Sequence, residues 1–310
     1  MTTSTATVPT LAPDRARRAR RPASGTEVER PRGPGAVLSY AVLLLMFAYF
    51  LLPFWWLAVA ATKSNDALFS SPALWFSGDG LFDNLHELFT FQNGIYLRWM
   101  LNSAFYAAVG GVGATAISAL AGYAFAKLRF PGRNLLFNVL LGLVMVPATA
   151  LVLPTYLLLS NAGLVDTVWA VILPTLLNPF GVYLFRVYAT DMVPDEMLEA
   201  ARIDGASEIR IFRSVALPVM RPALVTVLLF SIVATWNNFF LPLVMLSNDR
   251  LFPLTVGLRT WYRTATINSG ASVLFNLVIV GSLLAIIPLV AAFLLLQRYW
   301  QGGLTVGSIK

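Results

Sequence analysis

Six stretches of predominantly apolar residues constrain the fold of this chain more than any other feature. About 20 such residues are needed to cross a bilayer as a helix. The interiors of the six stretches contain no Asp, Glu, Lys, Arg or His, and Asp166 lies at the edge of the fourth. With only 12% charged residues, against about 25% in soluble domains, the chain is predicted to be an all-α integral membrane protein. The stretches lie at about 37–61, 100–126, 135–158, 165–185, 222–246 and 272–297.

The basic residues predict the orientation of these spans. Of the 22 Lys and Arg residues, 17 lie on the side that holds both termini and the 186–221 loop, and five lie on the other. Cytoplasmic loops are enriched in Lys and Arg, so both termini are predicted to be cytoplasmic. Residues 1–35 are predicted to form a disordered basic tail, in which seven arginines act as an orientation signal. The alternative for the tail is an arm that binds nucleic acid or lipid; because topology accounts for the positive charge, we expect no nucleic-acid partner.

The residues that are missing exclude several classes of function. The chain has no cysteine and one histidine, His86, so cysteine chemistry and histidine-rich metal sites are excluded. It has no phosphate loop and no recognisable catalytic set. The spans also lack the interior ionisable residues that ion-driven carriers generally use. If the chain moves a solute uphill, the energy is therefore expected to enter from a separate protein, through a cytoplasmic surface.

A charge-dense interval at 194–218 is the most polar part of the chain between two apolar regions. It is predicted to form two short amphipathic helices broken at Gly205, because glycine readily adopts the left-handed conformation that ends a helix. Pro194 suits the first turn of the first helix. Ser207 is predicted to cap the second helix, and Pro218 is predicted to end it.

The spacing within this interval resembles a known signature. The pattern Glu199-Ala200-Ala201, three residues, Gly205, nine residues, Val215, one residue, Leu217-Pro218 matches the EAA motif of the binding-protein-dependent ABC importer permeases. Valine in place of isoleucine at 215 is the only departure. Similar segments extend over about residues 37–310, and FPLTVGLRT at 252–260 with GLTVGS at 303–308 resembles the maltose-permease-like carbohydrate subgroup.

The resemblance implies a fold, a function and a set of partners. The fold would be the type I importer permease with six transmembrane helices over 36–310, including a coupling loop at 190–218. The chain would be the non-enzymatic permease subunit of a carbohydrate importer in the bacterial cytoplasmic membrane. Its partners would be an ABC ATPase dimer, which holds ATP and Mg, a second permease subunit and an extracytoplasmic solute-binding protein. No cofactor or metal is expected in this chain.

The same resemblance implies roles for individual residues. Glu199 would face a basic group of the ATPase, Ala200 and Ala201 would keep the contact close, and Gly205 would supply the turn. Leu217 and Pro218 complete the motif, and Gly303–Ser308 would also reach the ATPase.

Candidates for the substrate path come from side chains that can bind a sugar. Trp236, Asn237 and Asn238 offer an aromatic face and hydrogen-bonding groups in the fifth stretch, and Asn178 and Asn276 are weaker candidates. The alternative for all of these amides is hydrogen bonding between helices. The alternative function is a self-contained channel or facilitator in which 194–218 is a regulatory loop.

Overall fold

A computed structural model of the chain describes residues 34–78, 80–267 and 273–304. The predicted basic tail, apart from its last two residues, and positions 305–308 of the predicted C-terminal contact lie outside the described residues. The described residues form helices joined by turns and loops and contain no strand. The α-helices are α1 (Pro34–Ala61), α2 (Asn65–Ser70), α3 (Leu81–Thr90), α4 (Ile95–Lys127), α5 (Arg133–Val144), α6 (Val152–Asn161), α7 (Val168–Thr175), α8 (Pro179–Met192), α9 (Asp195–Ile203), α10 (Glu208–Ile211), α11 (Leu217–Val219), α12 (Arg221–Trp236), α13 (Phe240–Met245), α14 (Leu254–Ile267) and α15 (Val273–Leu304).

The apolar stretches account for up to six membrane crossings within the described residues. Four helical segments are long and apolar enough to cross a membrane alone: Gly35–Ala61, Ile95–Lys127, Val168–Met192 and Leu274–Gln297. In two further places, two consecutive helical segments are long and apolar enough only when they are taken together, and each pair is bent. The first pair is α5 and Ala148–Asn161, bent by 101°; the second is Glu208–Val219 and α12, bent by 84°. If each bent pair is one crossing, the number is six. The predicted all-α membrane fold is confirmed, whereas the orientation of the termini stays a prediction.

By its internal contacts the chain divides into residues 1–50 and residues 51–310. The described part of the first unit is the N-terminal part of α1, which is apolar almost throughout. The second unit is built around α4, which packs along α8 and α12.

Small residues let the neighbouring helices approach α4 closely. A Cβ atom added to Gly122 would lie 2.5 Å from Cβ of Phe185 and 2.8 Å from the carbonyl oxygen of Val182. One added to Gly110 would lie 2.6 Å from Oγ1 of Thr175. Both glycines belong to a series of small residues that recurs every four positions, at 110, 114, 118, 122 and 126, a spacing that lets helices pack closely.

The fifth apolar stretch, 222–246, is interrupted and does not form one continuous helix. α12 ends at Trp236, and the chain turns over residues 237–239 before α13 begins. Pro242 has no N–H group, so it cannot donate a helical hydrogen bond to the carbonyl oxygen of Asn238. Oγ1 of Thr255 donates to that oxygen instead, at 2.8 Å. A hydroxyl from α14 thus stabilises the break.

Candidate coupling surface

The coupling segment, residues 190–218, begins at the end of α8 and contains the predicted helix break. Pro194 occupies the N-cap position of α9 in an extended conformation, one residue before the first turn in which it was predicted. Asp195 and Glu196 occupy that turn, where acidic side chains complement the helix dipole. Gly205 has φ +78°. The N–H of Ala206 donates to the carbonyl of Ala201, and that of Gly205 to the carbonyl of Arg202, both at 3.0 Å. This pair of bonds is the Schellman motif, so the predicted break at Gly205 is confirmed.

Two details of the second helix differ from the prediction. Ser207 occupies the N-cap position of α10, but its side chain makes no capping hydrogen bond. Pro218 does not end the helix, because helical backbone continues to Val219. Proline removes one N–H donor from the helix. The preceding turn, Phe212–Ala216, is a wider π-turn in which the N–H of Leu217 donates to the carbonyl of Phe212. The helical backbone continues through Pro218 after this turn.

The underside of the coupling segment packs on the ends of two membrane helices. Leu198, Ile211 and Ala216 are buried in one apolar cluster with Tyr123 of α4 and Phe185 of α8. Each of these five side chains is at most 3% exposed. The coupling segment therefore rests on a packed apolar base that includes residues of α4 and α8.

Two ion pairs brace the segment. Nζ of Lys127, at the end of α4, donates to Oδ1 of Asp195 at 2.7 Å; the lysine side chain is 7% exposed and the aspartate side chain 73%. The hydrogen bond from Lys127 and its charge hold the pKa of Asp195 below its usual value. Arg202 donates two hydrogen bonds to the carboxylate of Glu208, at 2.7 and 3.3 Å, and so joins α9 to α10.

The residues of the EAA motif divide between the two faces of this segment. Glu199, Ala200 and Gly205 are exposed. Ala201 and Leu217 are partly buried against the apolar cluster, and Pro218 is partly buried as well. The motif therefore supplies both the exposed surface and part of its packed base.

Sequence reasoning missed two isoleucines that belong to the exposed face. Ile203, four residues after Glu199 and therefore on the same side of α9, is 86% exposed. Ile209, on α10, is 80% exposed. The helical spacing of Glu199 and Ile203 was the available signal. Together with Glu199 and Ala200, these isoleucines define the coupling face: a partly apolar surface around the turn at Gly205.

Two of the predicted substrate residues line a second feature, a cavity of about 630 Å³. Trp236, which is 7% exposed, and Asn237 contribute to its wall, and Nδ2 of Asn237 donates to the carbonyl of Val233 in its own helix. Asn238 is not among the lining residues and lies in the break between α12 and α13. Apart from Asn237, Thr255 and the indole of Trp236, the lining is apolar: Phe54, Leu229, Phe230, Val233, Leu254, Leu258, Ala285, Ile286, Leu289, Val290 and Phe293.

The remaining two asparagines lie away from this cavity and join helices. Asn178 caps α8 by accepting from the N–H of Gly181 at 2.9 Å, and its Nδ2 donates to Oγ of Ser231 at 3.0 Å. Asn276 is buried, and its Nδ2 donates to the carbonyl of Lys63 and to Oδ1 of Asn84. Both make the kind of bond that the helix-packing alternative predicts. Among the described residues, no group of three His, Asp or Glu side chains is arranged to hold a metal ion.

The sequence is similar over most of its length to transport permeases of other bacteria. The chain is 38% identical over 228 residues to the arabinooligosaccharides transport system permease protein of Halalkalibacterium halodurans, covering 74% of this chain and 79% of that protein. It is 30% identical over 274 residues to the lactose transport system permease protein of Rhizobium radiobacter, covering 88% and 96%. It is also 30% identical to the sn-glycerol-3-phosphate transport system permease protein of Escherichia coli, covering 86% and 95%.

A solved structure and a family profile complete the comparison. The fold is similar to a chain of a bacterial ABC transporter involved in the import of the acidic polysaccharide alginate, with a TM-score of 0.75, 22% identity, and coverage of 86% of this chain and 96% of that one. At this identity the similarity concerns the fold. The profile of the binding-protein-dependent transport system inner membrane component matches residues 111–302. The chain therefore belongs to the family of inner membrane permease components of binding-protein-dependent ABC importers.

Proposed function

We propose that this chain is one of two permease subunits of a carbohydrate importer, and that its coupling face docks on an ABC ATPase. The observation that carries this proposal is the two-sided coupling segment. Its underside is packed on α4 and α8, whereas Ile203 and Ile209 on the other side are largely exposed. Exposed apolar side chains grouped around a rigid turn are typical of a protein interface.

The proposed mechanism follows from this rigid connection. A change in the ATPase that moves the coupling segment would move α4 and α8 with it, because the apolar cluster and the Lys127–Asp195 ion pair join them. Coupling requires that the states of the ATPase bind the segment differently or impose different geometries on it. ATP and Mg would be held by the ATPase, and this chain would contribute conformational change rather than bond chemistry. The coupling face and both termini would lie in the cytoplasm.

The substrate class rests on the names of the relatives. Two of the relatives described above are permeases for arabinooligosaccharides and for lactose, and we propose a carbohydrate here too, delivered by an extracytoplasmic solute-binding protein. Trp236 and Asn237 line the cavity, and with Asn238 they are our proposed substrate-path residues. Asn178 and Asn276 are bonded between helices instead, so we do not propose them as contacts.

Co-purification of the ATPase with the permease tests the docking. The variant Glu199→Arg reverses the charge on the coupling face, and Asp83→Arg, an exposed acidic residue of α3, is its matched control. We expect Glu199→Arg to reduce both the recovered ATPase and transport-coupled ATP hydrolysis, and Asp83→Arg to retain both. Full assembly and unchanged coupling in Glu199→Arg would remove the role of this face.

Uptake by the reconstituted complex tests the substrate class separately. A panel of radiolabelled oligosaccharides, amino acids and phosphate should give ATP-dependent uptake of a carbohydrate alone. Uptake of amino acids or phosphate without any carbohydrate would contradict the substrate proposal and leave the docking proposal intact. Uptake without any ATPase would favour the self-contained channel.

A further inference from the structure

The last four residues of α2 and the loop that follows, residues 67–78, form an apolar surface that the importer function does not use. We call this segment the aromatic loop. The twelve residues contain no charged side chain. Phe69 is 71% exposed and Trp75 68%, and Leu74 and Phe76 are each 47% exposed. So much exposed apolar surface in one short loop indicates contact with something other than water.

The aromatic loop folds back along the end of the membrane helix α1. Nε1 of Trp55 donates to the carbonyl of Leu74 at 3.0 Å, and the ring of Phe76 meets the ring of Trp55 edge-on, with centroids 5.6 Å apart. Trp55 precedes the last residue of α1, Ala61, by about 9 Å along the helix axis at 1.5 Å per residue. Leu74 and Phe76 therefore lie beside the last turns of a membrane span, rather than beyond its end.

Several polar groups in and beside the aromatic loop are paired within the protein. Lys63, only 1% exposed, donates from Nζ to the carbonyl of Pro72 at 2.7 Å. The hydroxyl of Ser70 donates to the carbonyl of Asp66, and that of Ser77 donates to Oγ of Ser71, both at 2.7 Å. Irregular backbone near hydrocarbon needs internal partners of this kind. Because these groups are paired internally, the exposed apolar side chains are free to face lipid.

We propose that the aromatic loop inserts into the membrane and contacts the phospholipids of the leaflet at the C-terminal end of α1. Lipid, rather than a protein subunit, is the partner because the apolar surface is continuous with a membrane span at the same depth. Tryptophan is also enriched at this level of a bilayer, where its ring is buried and its N–H remains near polar groups. The inference depends only on α1 crossing the membrane.

The inserted loop is tied to two other helices through one residue. The carbonyl of Lys63 accepts a hydrogen bond from Asn84 of α3 at 2.9 Å and from Asn276 of α15 at 3.1 Å. Lys63 thus joins the lipid-facing loop, through its ammonium group, to the start of the last membrane span. The loop is a membrane anchor for this end of the molecule.

Fluorescence quenching tests the proposal, and the absence of cysteine in the sequence simplifies the experiment. Leu74→Cys and Phe69→Cys are labelled with an environment-sensitive fluorophore in the assembled transporter, in nanodiscs, with the cysteines of the other subunits replaced. Asp66→Cys, an exposed position just before the loop, is the control. Phospholipids brominated on their acyl chains and aqueous iodide serve as the two quenchers.

We expect brominated lipid to quench the labels at 69 and 74 more strongly than iodide does, and iodide to dominate at 66. Stronger quenching by iodide at 69 and 74 would overturn the proposal by placing the loop in water. Protection from both quenchers would also overturn it, by showing that another subunit covers the loop. The unlabelled single-cysteine variants must retain uptake, so that the quenching reports on the folded transporter.

Discussion

At the scale of single residues, Gly205 fixes the geometry of the coupling face. Its φ is +78°, yet a Cβ atom added there would meet no atom within 4 Å. The requirement for glycine is therefore conformational, because an L-residue in the left-handed region costs about 1–2 kcal/mol.

This conformational requirement predicts a specific loss in Gly205→Ala. We expect about 1–2 kcal/mol of strain, relieved when the turn opens, and a lower ratio of sugar transported to ATP hydrolysed. Gly132→Ala is the matched control, since Gly132 has φ +79° and is equally unobstructed but lies in a different loop. Equal transport-to-hydrolysis ratios in the two variants would argue against a coupling role for the turn.

The Lys127–Asp195 ion pair predicts a dependence on pH. Because the pKa of Asp195 is lowered, the pair's contribution to stability is complete above the usual range for aspartate and is lost as the pH falls through the lowered pKa. Asp195→Asn should reduce the midpoint of thermal unfolding at neutral pH, and the difference from wild type should vanish in acid.

A comparison variant separates this pair from general charge effects. Asp191→Asn changes another exposed aspartate, at the end of α8, and should leave the midpoint near that of wild type. An Asp195→Asn difference that persisted unchanged into acid would contradict an ionic origin.

At the scale of elements, the two exposed isoleucines predict the strength of docking. Burying an isoleucine contributes about 1.5–3 kcal/mol, and 1.4 kcal/mol is a tenfold change in affinity. Ile203→Ser and Ile209→Ser should therefore each weaken ATPase binding about tenfold or more, measured by titration of the purified ATPase into permease nanodiscs. Ile267→Ser, in the 66% exposed position at the end of α14, should bind normally; equal losses in all three variants would indicate general damage.

Some helix ends were predictable from the sequence and others were not. The break at Gly205 was predictable because one residue type satisfies a local backbone requirement. The continuation of the helix through Pro218 was not, because it depends on a π-turn one turn earlier. The break after Trp236 is stabilised by Thr255, a residue of another helix. Local patterns thus predicted the elements, whereas tertiary partners decided where some of them end.

At the scale of the whole molecule, the distribution of Lys and Arg predicts the orientation. In a chain without native cysteine, Ser207→Cys should react with a membrane-impermeant maleimide only from the cytoplasmic side. Thr266→Cys, an exposed residue near the end of α14, should react only from the other side. Labelling of intact cells and of inverted vesicles gives this readout, and reversed accessibility of the two sites would overturn the predicted topology.

The position of the candidate site was predictable from the sequence, but its packing was not. The EAA spacing located the coupling segment, but the division of the motif between an exposed face and a packed base became visible only from the packing of Ala201 and Leu217 against the apolar cluster. The two isoleucines were missed because the sequence does not show whether an apolar residue is buried or exposed.

Site-specific crosslinking from the coupling face tests the central claim most directly. A photoreactive amino acid at position 203, introduced into the complete transporter in its native membrane, should form an adduct with the ABC ATPase. The same group at position 267 should form none. The absence of an ATPase adduct at 203, in a transporter that still takes up its substrate, would contradict docking through this face.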